Sequence, residues 1–155
     1  MGYADKVLQP GETIAYRAHL HWVIYLVGLV LVVLAAGLAV GAVVLKAQGL
    51  RVGLIVLALI ALMLGLFQMI RAWLYAVNTE ITVTSRRIIY KTGFISRNTV
   101  EMNLDKVESV LVQQGLVGRM LDYGTVIIRG VGAGLEPVRN IAAPLQLHRH
   151  VSAPT

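Results

Sequence analysis

Hydrophobic and polar positions divide the 155-residue chain into two textures. Trp22–Leu45 contains no charged residue, and neither does Val52–Ile70; only Lys46 and Arg51 carry charge between those runs. As helices rising ~1.5 Å per residue, both runs are long enough to cross a ~30 Å hydrocarbon core. The rival reading is a pair of buried helices in a soluble fold, but so short a chain has too little mass to surround two such helices. The pattern therefore predicts a transmembrane hairpin over residues 22–75, with spans at about 22–45 and 52–74, turning tightly at Lys46-Ala-Gln-Gly-Leu-Arg51.

A hairpin returns the chain to the side it left. Trp22 and Tyr25 open the first span, and Trp73 and Tyr75 close the second, which puts an aromatic belt at that shared interface. Basic residues near the spans are Lys6, Arg17, Arg71, Arg86 and Arg87 on the terminal side, against Lys46 and Arg51 at the turn. The positive-inside rule then places both termini in the cytoplasm of a bacterial inner membrane. Nothing before Trp22 resembles a cleavable signal, so the first span is expected to stay. Within the spans, Gly37-Leu-Ala-Val-Gly41 and Ala61-Leu-Met-Leu-Gly65 place small residues four apart on one helix face. Gly37, Gly41, Ala61 and Gly65 are thus the expected helix-packing positions, by packing of the hairpin on itself or by dimerisation.

After Tyr75 the period changes from helical to alternating. Thr79–Thr84, Ile88–Thr92, Thr99–Leu104, Val107–Gln113, Thr125–Arg129 and Leu135–Ala142 read as strands separated by turn signals, the pattern of an antiparallel sandwich or barrel. Pro144–Val151 reads as a closing helix, with Leu145, Leu147 and Val151 as its apolar residues. Before the hairpin, Glu12–Leu20 also alternates. Residues 1–21 could therefore supply a first strand to the β domain of residues 76–155, or lie as an amphipathic stretch on the membrane surface. The fold class is an α+β membrane protein.

Composition agrees: 57% hydrophobic and 14% charged residues depart from the usual ~45–50% and ~25% of soluble domains. The net charge of +6 rests on few charges, and no basic helix or aromatic-interleaved strand points to nucleic acid. The absence of cysteine excludes disulfides, thiolate metal sites and a thiol nucleophile. Four histidines form two His-x-His pairs, His19/His21 and His148/His150. On a strand the first pair would share a face and could offer two imidazoles to a metal; on a helix the second pair would diverge. No carboxylate lies near either pair in sequence, so interfacial histidines are the simpler reading and no metal is expected. Gly130-Val-Gly-Ala-Gly134 lacks the helix that a dinucleotide site requires directly after it, and reads as a hairpin turn. No Walker loop, His-Glu-x-x-His, nucleophile elbow or paired-carboxylate cluster occurs, so neither catalysis nor a cofactor is expected.

Together, Leu8-Gln-Pro-Gly-Glu12, His21-Trp22, Thr84-Ser-Arg-Arg-Ile88, Lys91-Thr-Gly93 and Val112–Val126 resemble the small two-span members of the bacterial pleckstrin-homology-like domain family. The resemblance covers nearly the whole chain. It implies a seven-stranded, partly open barrel capped by a C-terminal helix, and no catalytic activity. In eukaryotic pleckstrin homology domains, basic residues around the first strand pair hold inositol phosphates. The partial likeness makes Arg86, Arg87, Lys91 and Arg97 the candidates for binding an anionic lipid or a partner, with solvated surface charge as the competing reading. The expected partners are the bilayer and a protein, either a second copy or another chain recruited to an open sheet edge.

Gln114–Gly124 carries three glycines, Arg119 and Asp122 between two strands. A phosphate loop would not spend Leu116, Val117, Met120 and Leu121 there. A short helix with these four residues on one side, plugging the barrel, fits better, with Gly124 as its left-handed cap.

Overall fold

The computed structural model describes residues 4–45, 47–93, 98–134 and 137–152. In chain order the elements are α1 (Ala4–Val7), β1 (Ile14–Ala18), a 3-10 turn (Trp22–Tyr25) running into α2 (Leu26–Val44), and α3 (Gln48–Asn78). There follow β2 (Glu80–Thr84), β3 (Arg87–Thr92), β4 (Asn98–Asn103), a 3-10 turn (Leu104–Lys106) and β5 (Val107–Gln113). The chain continues with α4 (Leu116–Met120), β6 (Tyr123–Gly130), β7 (Ala133–Gly134), β8 (Val138–Ala142) and α5 (Pro144–Ser152). Contacts divide the chain into two compact units, Trp22–Leu74 and the segments on either side of it.

In the helical unit, two helices are long and apolar enough to cross a membrane. The residues buried on α2 are Gly28, Ala35 and Ala42, each a heptad apart; those on α3 are Ala58, Ala61 and Gly65. Such spacing keeps one side chain per two turns on the facing side, the seam of a gently supercoiled pair. The seam is tightest where two glycines meet. A Cβ on Gly28 would lie 3.0 Å from the Gly65 carbonyl oxygen, and one on Gly65 would lie 3.1 Å from that of Gly28. Ala61 and Gly65 are therefore packing residues. Gly41 sits on the flank, with Leu54 3.9 Å from where its Cβ would be, and Gly37 faces open space. The four-residue spacing of the two glycines in α2 misses a seam that the heptad of Gly28, Ala35 and Ala42 selects.

The second unit contains two antiparallel sheets. One runs β1-β2-β3-β4; the other has β6 at its centre, flanked by β5 on one side and by β7 and β8 on the other. The alternating segment before the hairpin is the edge strand of the first sheet, with Ala18 opposite Ile81 and Tyr16 opposite Val83. The sheets enclose one core. Ala18, Ile81, Val83, Ile88, Tyr90 and Met102 come from the first, and Val126, Ile128, Val138 and Ile141 from the second. Leu147 and Val151 of α5 cap it. The buried face of α5 is Pro144, Leu147 and Val151, while Leu145 is exposed. The reason is angular: residues 145 and 147 lie ~200° apart on a helix, whereas steps of three and four stay on one face.

The barrel closes on one side and opens on the other. Beyond β1, Leu20 bridges Ile141, the His21 amide donates to the Asn140 carbonyl (2.7 Å), and the Ala142 amide donates to that of His19 (3.0 Å). On the opposite side, among the described residues no strand pairs with the outer edge of β4 or of β5.

Two expectations from sequence are corrected here. The last predicted strand begins at Val138 rather than Leu135, and its predecessor is the two-residue β7; residues 135–136 lie outside the described set. The α4 turn does not plug the barrel. Its buried residue is Gly118, where a Cβ would come within 2.6 Å of the Tyr123 carbonyl oxygen. With that side pressed on β6, Leu116 and Met120 point outward, 82% and 85% exposed. The left-handed residue is Asp122 (φ 54°), and Gly124 already belongs to β6.

Candidate functional site

Leu8-Gln-Pro-Gly-Glu12 is a turn whose purpose emerges only in three dimensions. The Glu12 amide donates to the Gln9 carbonyl (2.9 Å), with Pro10 and Gly11 at the centre and Gly11 at φ 80°. That is type II geometry, in which proline presets the first central residue and glycine supplies the positive φ of the second. The turn reverses the chain just before β1. Because β1 runs antiparallel to β2, Glu12 lands beside Thr84 and the start of β3.

There the carboxylate meets Arg87. The Arg87 Nε donates to Glu12 Oε1 (3.0 Å) and its Nη2 to Oε2 (3.0 Å), a two-pronged pair in which one plane matches the other. The remaining nitrogen, Nη1, reaches Glu101 Oε2 on β4 at 2.7 Å, and Nη2 also donates to the Val7 carbonyl (2.8 Å). Glu12 accepts in addition from the Thr84 hydroxyl (2.6 Å) and the Gln9 amide (2.9 Å). Its side chain is 0% exposed and that of Arg87 11%. Burial alone would push the Glu12 carboxyl upward; the Gln9, Thr84 and Arg87 hydrogen bonds outweigh it and hold the group below the ordinary glutamate range.

The four basic candidates therefore have separate fates. Arg87 is engaged in this network. Arg86, one residue earlier, occupies the exposed β2–β3 turn and, with Arg87, Gln9, Ser85, Asn103 and Asp105, borders an open cleft of about 580 Å³. The Asp105 carboxylate puts an acid on the same wall. Lys91 lies opposite Glu80 at the other end of β3, four residues or about 13 Å along the strand from Arg87. Arg97 lies outside the described residues. The structure thus brings Arg86 and Arg87 to one cleft and leaves Lys91 apart from them.

The histidine pairs are likewise divided. His150 stacks on Tyr16 with ring centroids 4.7 Å apart, and His21 stacks on Tyr123 at 5.3 Å. Among the described residues no group of three or more potential ligands could hold a metal ion. Glu12 and Thr84 stand in the motifs that carry the resemblance, but the sequence does not mark them, or Glu101, as partners of Arg87. For Glu12 the available signal is an acid placed directly after a Pro-Gly turn and before an alternating run; Thr84 and Glu101 carry no such signal.

Residues 18–155 match the family described as bacterial PH domain. No curated protein and no solved structure matches the chain.

Proposed function

Since the chain belongs to the bacterial PH domain family, whose fold is generally non-catalytic, we propose that it is a membrane-anchored adaptor that recruits a protein strand to the open side of its barrel. The observation that carries this reading is that, among the described residues, neither β4 nor β5 has a strand partner on its outer edge, on the side of the unit opposite the Leu20–Ile141 bridge. An edge strand offers a row of backbone donors and acceptors, and a peptide or a second copy can extend the sheet there. Val100 on β4 is exposed at that edge, and Ser109 and Leu111 are exposed on β5. The two apolar helices supply the anchor: their outward residues, such as Val33 and Phe67, are large and apolar, which suits lipid and not water. The charge bias across the hairpin supports a cytoplasmic position for the β unit at a bacterial inner membrane. An anionic-lipid surface built from Arg86, Arg87, Lys91 and Arg97 has less support, since Arg87 is engaged with two carboxylates and Lys91 is distant from it.

The test uses a photocrosslinking amino acid in the full chain in native membranes. Installed at Val100 or Ser109, it is expected to yield a discrete protein adduct, whose mass distinguishes a second copy from another chain. The same group at Ser85, away from the open edges, is expected to yield none. No adduct at either edge position, or equal adducts at Ser85, overturns the reading.

A further inference from the structure

The outward face of α4 is inverted relative to an ordinary water-facing helix. Small Gly118 is buried, while Leu116, Val117, Met120 and Leu121 are 82%, 57%, 85% and 39% exposed. The inversion is built in. The Gln114 side-chain amide donates to the Tyr123 carbonyl (3.2 Å) and the Gly118 carbonyl (3.4 Å), which pins the turn by its backbone. Large apolar groups held outward on a fixed scaffold mark a contact surface.

The place of this face within the β unit says what it contacts. Tyr123, at the start of the strand that follows α4, stacks on His21, and the His21 amide donates to the Asn140 carbonyl. Asn140 and Tyr123 line a groove of about 320 Å³ together with Leu116 and Val117. His21 is the last residue before Trp22, where the first apolar helix begins. The apolar face thus lies beside the very residue at which the chain leaves the β unit for its apolar hairpin.

We infer that Leu116, Val117, Met120 and Leu121 insert into the lipid surface next to the hairpin, making α4 a second, non-spanning anchor. This rests on the reading of the hairpin as membrane-embedded. A bilayer suits the feature better than a protein does. A five-residue helix is only about 7.5 Å long, too short for its few side chains to cover by themselves the ~800 Å² per partner that a stable protein interface buries. A bilayer asks for no complementary shape, and tethering makes the encounter intramolecular, so a small patch suffices. Exposed Arg119, on the same helix, can reach back to lipid phosphates while its neighbours enter the acyl region.

The chain has no cysteine, so single cysteines can be labelled with an environment-sensitive fluorophore. The full-length protein carries one at Leu116, Met120, Leu59 in α3 or Glu108 at the far end of β5, in nanodiscs of phosphatidylcholine and phosphatidylglycerol. With brominated acyl chains, labels at 116 and 120 are expected to shift to the blue and lose emission as the label at 59 does, and the label at 108 to do neither. Met120→Asp combined with Leu116→Cys is expected to restore the emission of the 116 label. Labels at 116 and 120 that behave like 108 while 59 is quenched overturn the inference and leave the anchor reading standing. A blue shift without quenching means that protein covers the face, which overturns it too. An unquenched label at 59 overturns both.

Discussion

Glu12→Ala is expected to lower the unfolding free energy of the β unit by about 3–5 kcal/mol, the usual consequence of stranding one partner of a buried ion pair. The substitution leaves the Arg87 guanidinium short of its two-pronged partner, the Gln9 amide without an acceptor and the Thr84 hydroxyl without its strongest contact. Arg87→Ala should cost a similar amount for the reciprocal reason, since it leaves a wholly buried carboxylate without its cation. Arg87→Lys should recover only part of the loss, because an ammonium cannot reproduce the planar fork that spans Glu12 and Glu101. Arg86→Ala, on the neighbouring exposed position, is expected to stay within about 0.5 kcal/mol of the parent. Pulse proteolysis of the full chain in detergent across a urea series reads all four. Equal stabilities for the Glu12→Ala and Arg86→Ala proteins would remove the network from the account of the fold.

The same pair gives the β unit an acid dependence of fixed sign. Unfolded, Glu12 takes up a proton near pH 4.3; folded, it does so only at lower pH. Between those values the unfolded chain binds more protons, so acid favours unfolding. The stability advantage of the parent over Glu12→Gln should therefore be constant above about pH 5 and shrink as pH falls through the lowered value. An advantage that grows on acidification would contradict a depressed carboxyl.

In the hairpin, Gly65→Leu is expected to destabilise the helix pair by about 1–3 kcal/mol or more, the cost of overpacking a tight contact. A Cβ at position 65 already comes within 2.9 Å of Val32 Cγ2 and 3.1 Å of the Gly28 carbonyl oxygen, and backbone cannot move aside as a flexible side chain can. In lipid, where no hydrophobic force draws helices together, that close approach is itself the main attraction. Gly37→Leu is the discriminating control. Nothing lies within 4 Å of its added Cβ, so it should be nearly neutral. Both tryptophans of the chain, Trp22 and Trp73, lie in this unit and report its unfolding in mixed micelles of dodecylmaltoside and dodecyl sulfate. A Gly37→Leu protein as damaged as Gly65→Leu would move the seam to the glycine pair that the four-residue spacing selects.

What could be read in advance divides along a physical line. Apolar runs of helix-spanning length and period-2 alternation are local, so the two long helices, the strands and the closing helix were legible in outline. Direction was not. Leu116, Val117, Met120 and Leu121 have the spacing of a buried helical face, yet burial is decided by the carbonyl of Tyr123, against which only Gly118 fits. The two adjacent arginines look equivalent along the chain. They separate only when the pairing of β1 with β2 carries Glu12, 75 positions away, up to Arg87 and leaves Arg86 in the turn. In the hairpin, two glycines four apart form a short, conspicuous motif, while the heptad of Gly28, Ala35 and Ala42 is spread over a longer stretch and includes the commoner alanine.

The pairing of β1 with β2 also sets an order of events during synthesis. Ala18 emerges from the ribosome roughly sixty residues before its partner Ile81. At about 5–20 residues per second that is a wait of about 3–12 s, during which the whole hairpin is made. Both long helices can thus reach the translocation machinery before any sheet exists to hold them back. Glu12, meanwhile, remains hydrated and unpaired until Arg87 appears. The ion pair is then a late latch: it can form only when both apolar helices have already left the ribosome.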